Sequence, residues 1–140
     1  MKRFKFGPEK VMQLRKFKEE ECKLALGQAV SILNKIENEI KKTAVKRHNA
    51  ASQRFIDIGE TNAWENYIMR LDQEAKQLTE KAAQAEITVE EKRMLYLEAQ
   101  KDLKTIEKLK EKRQKEYRKE TLNYEMNEVD GLTSARFMGN

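Results

Sequence analysis

The chain has 140 residues, 38% of them charged, with a net charge of +5 and only five Gly and one Pro. Strong helix formers dominate, and so charged a mixture cannot fill a globular core but can coat a thin seam between helices. A single Cys and a single His exclude an internal disulfide and the usual metal-ligand spacings, and no apolar run reads as a signal peptide or a membrane span.

The first predicted helix runs from about 8 to 58. Phe6-Gly7-Pro8 opens it, with Gly as N-cap and Pro at the first helical position, where its missing N–H is harmless. Phe6 is expected to staple onto Val11. A seam passes through Cys22, Leu26, Ala29, Leu33, Ile36, Ile40 and Thr43. Toward the N-terminus this register meets Glu19 and Arg15. There it either continues less securely or slips to a Val11, Leu14 and Phe17 stripe, which makes that end a plausible docking surface.

A tip follows at about 59–61. Gly59 suits a left-handed helix stop, and Asn62 with Glu65 matches a capping box. So short a connection makes two long helices fold back as antiparallel neighbours. Trp64, just past the tip, is expected either to close the hairpin against Phe55 and Ile58 or to anchor a partner.

The second helix, about 62 to 130, carries the clearest signal. Apolar or small residues alternate at spacings of four and three from Trp64 through Ile68, Leu71, Ala75, Leu78 and Ala82 to Tyr117, broken only by Lys92, Lys110 and Arg113. A repeat averaging about 3.5 residues keeps one seam facing a partner helix and defines a left-handed coiled coil. The predicted fold is all-α: a long antiparallel two-helix coiled-coil hairpin, one domain over 1–140, with helix two longer than helix one. At about 1.5 Å per residue the helices extend roughly 75 and 100 Å, so Pro8 falls near Lys112 and the last turns of helix two lack a partner in the chain. Asp130-Gly131 ends the pattern, and 131–140 is expected to be a frayed tail.

Charge is polarised along this hairpin. Residues 2–18 hold seven Lys or Arg against one Glu, and residues 101–120 hold nine against five acidic residues. Folding brings both segments to the open end, a positive end that steers toward an acidic partner or nucleic acid. Catalytic chemistry has no foothold: His48 stands in a polar stretch without a nucleophile, Gly59 is alone where a phosphate loop needs several glycines, and the many Glu residues suit i,i+4 ion pairs. Cys22 falls on the seam as a small apolar filler. The reading is therefore of a protein that is not an enzyme, with no catalytic residue, metal, cofactor or small-molecule substrate.

Three stretches together resemble a known family. Phe4-Lys5-Phe6-Gly7-Pro8-Glu9-Lys10-Val11 with Leu14 and Arg15 opens the chain, and Trp64-Glu65-Asn66-Tyr67 follows the bend. Leu109-Lys110-Glu111-Lys112-Arg113 and Lys115-Glu116-Tyr117 lead to Glu125, Glu128, Asp130 and Arg136-Phe137. Their order along nearly the whole chain is similar to the FliJ proteins of bacterial flagella, although Gly131 and Thr133 depart from the acidic and small residues usual there. The resemblance implies a component of the flagellar type III export apparatus, a stalk and adaptor linking the hexameric export ATPase to the membrane export gate and handling export chaperones. It implies a cytoplasmic protein associated with the inner face of the membrane at the flagellar base. Carried onto this chain, the ring contact would use Phe6, Val11, Leu14, Arg15, Lys110, Arg113, Arg118, Arg136 and Phe137, and the gate contact Trp64, Tyr67, Ile68 and Leu71. Two other readings stay open: the equivalent stalk of a virulence injectisome, and a nucleic-acid-binding helical hairpin. Interleaved glutamates and scarce aromatic platforms argue against nucleic acid.

Overall fold

The computed structural model describes residues 3–138, with side chains described through Arg136. Two helices account for nearly all of it: α1, Glu9–Ile56, and α2, Thr61–Met138, joined by a single 3-10 turn at Ile58–Glu60. The helices pack against each other, α2 is the longer at 78 residues against 48, and no strand occurs among the described residues.

The expected seam is the buried one. From Trp64 to Tyr117 every position of the four-and-three series is at least partly covered except Arg113, which is exposed. On α1, Cys22 through Thr43 are covered likewise, and the same register continues back through Glu19 and Arg15 to Met12, only 3% exposed. No slip occurs. Val11, Leu14 and Phe17, the alternative stripe, face solvent. Long side chains make this register tolerable, because Arg15 and Glu19 can cover the seam with their stems while their polar ends reach its edge.

The chain divides into two compact units, each containing a length of both helices: Met1–Glu19 with Glu98–Asn140, and Glu20–Leu97. In the first, Phe6, Met12 and Ile106 form the core, flanked by Phe4 and Leu103. Phe6 packs on Met12 rather than stapling onto Val11, which is 44% exposed. Its carbonyl accepts the Glu9 N–H at 3.1 Å, and the Pro8 carbonyl accepts the Met12 N–H at 3.0 Å, which starts the helix. In the second unit Ala50, Ile68 and Leu71 form the core, with Ala51, Trp64 and Tyr67 packed on it. Ala29, Thr43, Ala82 and Val89 are also buried there. Short side chains at these positions let the two backbones approach closely.

The connection differs in detail from the sequence expectation. Gly59 has no left-handed φ and lies in the 3-10 turn. The Glu60 N–H donates to the Asp57 carbonyl at 3.1 Å and the Thr61 hydroxyl to the Ile58 carbonyl at 2.8 Å. In the last turn of α1 the Gln53 carbonyl accepts the Asp57 N–H at 2.9 Å, and α2 begins at Thr61, so Asn62 is already helical rather than an N-cap. At the other end the helix does not stop near 130. Gly131 keeps a helical backbone and α2 continues to Met138. One glycine inside a helix costs only about 1 kcal/mol relative to alanine, too little to end a helix whose Thr133 hydroxyl bonds back to the Val129 carbonyl at 2.9 Å.

Candidate docking surfaces

The open end, in the first unit, is built from the chain's N-terminal segment laid against α2. As α1 numbers rise their α2 partners fall, which is the mark of antiparallel packing. The Phe4 and Tyr117 rings meet at 5.4 Å between centroids, the Arg113 guanidinium lies 5.6 Å over the Phe6 ring, and Arg15 Nη1 donates to the Asp102 carbonyl at 2.9 Å. Between them Lys110 Nζ pairs with Glu9 Oε2 at 3.1 Å while Gln13 Nε2 donates to Glu9 Oε1 at 3.1 Å. The Gln13 hydrogen bond first, and the Lys110 contact second, hold the Glu9 carboxyl below its ordinary range. Lys110 thus occupies a seam position as a partly buried cation with a fixed partner, which explains how the apolar series tolerates it.

Past this contact α2 stands without α1. Beyond Thr121 every described side chain is exposed, among them Leu122, Tyr124, Met126, Val129 and Leu132, each 49% exposed or more. The Tyr124 hydroxyl bonds the Glu128 carboxylate, which raises its pKa. Bulky aliphatic groups spaced along a bare helix form a surface that water covers poorly and a partner covers well.

Of the residues assigned to the ring contact, Phe6, Arg15, Lys110 and Arg113 each take part in the cluster of contacts between the N-terminal segment and α2. Phe6 is buried and shapes the surface from beneath, while Val11, Leu14 and Arg118 face solvent. Arg136 is also exposed, near the end of α2 and away from that cluster in sequence. The Phe137 side chain lies outside the described residues. Sequence reasoning missed Met12, the most covered residue here, although stepping back from Cys22 by three, four and three through Glu19 and Arg15 reaches it.

The tip, in the second unit, separates the four residues assigned to the gate contact into two layers. Ile68 and Leu71 are 6% and 3% exposed and belong to the hairpin core. Trp64 and Tyr67 are half-buried above them, their rings edge to face at 6.2 Å, with the Arg70 guanidinium 5.7 Å over Tyr67. Arg47 and Asp72 tie the helices together beside this cluster through two hydrogen bonds. Trp64 packs on the cluster of Ala50, Ile68 and Leu71, whereas Phe55 and Ile58, the partners expected for it, are 74% and 81% exposed. Polar Arg70 and Glu74 are exposed on α2 just beyond.

No group of three or more His, Cys, Asp or Glu stands ready for a metal among the described residues, and His48 is solvent-facing. No described helix is long and apolar enough to cross a membrane.

Comparison with known protein families matches residues 8–140 to the family described as Flagellar FliJ protein. The fold is an all-helical hairpin with the longer second helix, and with the match covering essentially the entire chain, this protein belongs to the FliJ family and is a flagellar export-related protein. Comparisons with curated proteins and with solved structures give no match.

Proposed function

We propose that this chain is a non-enzymatic adaptor whose first unit docks in the hexameric flagellar export ATPase and whose tip contacts the membrane export gate, with export chaperones as further partners. It would work in the cytoplasm at the inner face of the membrane. The observation that carries the ring half is the bare stretch of α2 beyond Thr121, where Leu122, Met126, Val129 and Leu132 are exposed among polar residues just past the basic 101–120 segment. Such a surface suits a sleeve that grips by shape and charge together. Family membership favours the flagellar apparatus over an injectisome. For the gate half, Trp64 and Tyr67 offer partly exposed rings held by Ile68 and Leu71 beneath them.

The ring contact is tested through Arg113 and Arg118, both exposed. Added to the purified export ATPase, the full chain is expected to raise the rate of ATP hydrolysis. The double variant Arg113→Glu, Arg118→Glu is expected to lose most of that stimulation with helicity retained, because reversing exposed charges alters steering and docking far more than folding. Undiminished stimulation by a normally helical variant would remove these arginines from the contact.

A further inference from the structure

One face of α2 in the first unit is unaccounted for by the hairpin. Lys101, Lys104, Lys108, Lys112, Lys115 and Lys119 follow one another at spacings of three or four residues, so they form one continuous stripe about 27 Å long. All six are exposed, and none takes part in an ion pair among the described residues. Lys104 and Lys108 also edge the groove lined by Met12 and Lys16 of α1, while Lys112, Lys115 and Lys119 continue onto the side of α2 opposite its seam positions, so the stripe runs from the flank of the helix pair onto the back of α2. The same spacing then carries on without a break through Leu122, Met126, Val129 and Leu132, so the face changes from cationic to apolar along its length.

Like charges one turn apart repel and weaken a helix. Glutamates at 107, 111 and 116 are within reach along α2, yet the lysines leave them unpaired. We infer that this face is a docking track for an acidic, helical protein surface, with carboxylates repeating once per turn against the lysines and apolar side chains against Leu122, Met126 and Val129. Charge complementarity selects an anionic occupant, and the change of character along the face selects a protein. A lipid surface is uniform along the helix, and a nucleic-acid strand would meet aliphatic groups with no aromatic platform among the ten residues of the stripe. This assignment rests on the reading of the first unit as the end that engages the export ATPase, and it places the acidic surface on that ATPase.

The test measures affinity of the full chain for the purified export ATPase at several salt concentrations, with hydrolysis read in parallel. Lys108, Lys112, Lys115 and Lys119 are changed together to Gln, which preserves helix propensity, and in a second variant to Arg, which preserves charge. A control changes four exposed lysines of the other unit, Lys35, Lys41, Lys46 and Lys76, to Gln. The stripe Gln variant is expected to bind on the order of 10-fold more weakly at low salt and with a flatter salt dependence, while the Arg variant and the control stay within about twofold of the unaltered chain. Equal loss in stripe and control, no loss in either, or salt-independent binding of the unaltered chain would overturn the inference while leaving the ATPase contact standing. Absence of any binding by the unaltered chain would overturn the functional reading and this assignment with it. Phosphatidylglycerol vesicles or a single-stranded RNA oligonucleotide binding through the lysines more tightly than the ATPase would assign the track to lipid or nucleic acid and refute it.

Discussion

Ile106→Ala should destabilise the hairpin by about 2–4 kcal/mol, the usual cost of emptying a well-packed aliphatic site, whereas Phe17→Ala should change stability by no more than about 0.5 kcal/mol. Ile106 is 4% exposed and clusters with Phe6 and Met12, so its loss leaves a cavity in the core of the first unit. Phe17 has the larger side chain but is 66% exposed, so truncating it uncovers nothing. The contrast tests the register directly. Urea unfolding followed by circular dichroism would show it, and a larger loss for Phe17 than for Ile106 would mean that α1 packs through the Val11, Leu14 and Phe17 stripe instead.

Trp64→Ala has an expected effect of similar size but on two readouts. Half-buried against the cluster of Ala50, Ile68 and Leu71, the ring should contribute roughly 2 kcal/mol to folding, less than a fully buried tryptophan. As an aromatic anchor at the gate it should also contribute roughly 2 kcal/mol or more to binding, about 30-fold in affinity. The two effects separate by temperature: binding is measured well below the melting transition, where the variant is still folded. Weakened binding there supports the gate contact, while a lowered melting temperature with undiminished binding would leave Trp64 a purely structural residue. The Tyr67→Ala change adds a coupling test, because rings in edge-to-face contact acting as one patch should give non-additive losses.

Much of this architecture was legible because a coiled coil writes its packing into its sequence. Each seam position depends on the spacing to its neighbours and hardly at all on distant structure, so the series from Trp64 to Tyr117 and the one from Cys22 to Thr43 could be read directly. Where the code uses polar letters, legibility fell. Arg15 and Glu19 hold seam positions through their stems and a backbone hydrogen bond, which hid Met12 behind them and made the exposed Val11, Leu14 and Phe17 look like an equal alternative. Termini and turns were read less well for a different reason. Glycine permits a left-handed stop without requiring one, and both Gly59 and Gly131 adopt right-handed backbone.

The docking surfaces were legible in composition more than in geometry. Clustering of positive charge at the open end could be counted from the sequence, but burial decides which side chains can touch a partner. Phe6, Ile68 and Leu71 turn inward and serve as supports, while the tip's most exposed apolar residues are Phe55, Ile56 and Ile58, none of them among those singled out for the gate. The lysine track of α2 obeys the same three-and-four spacing as the seam. It is easily overlooked, because a search for apolar periodicity passes over lysines.

The proposed ring contact has a stoichiometric consequence. A single hairpin end seated on the axis of a six-fold ring excludes a second, because all six subunits share that one axis. Light scattering on the complex separated by size exclusion, with the full chain in excess over the hexameric export ATPase, measures the ratio directly. One chain per six ATPase subunits is the expected result; no complex, or one chain for each subunit, would contradict an axial adaptor.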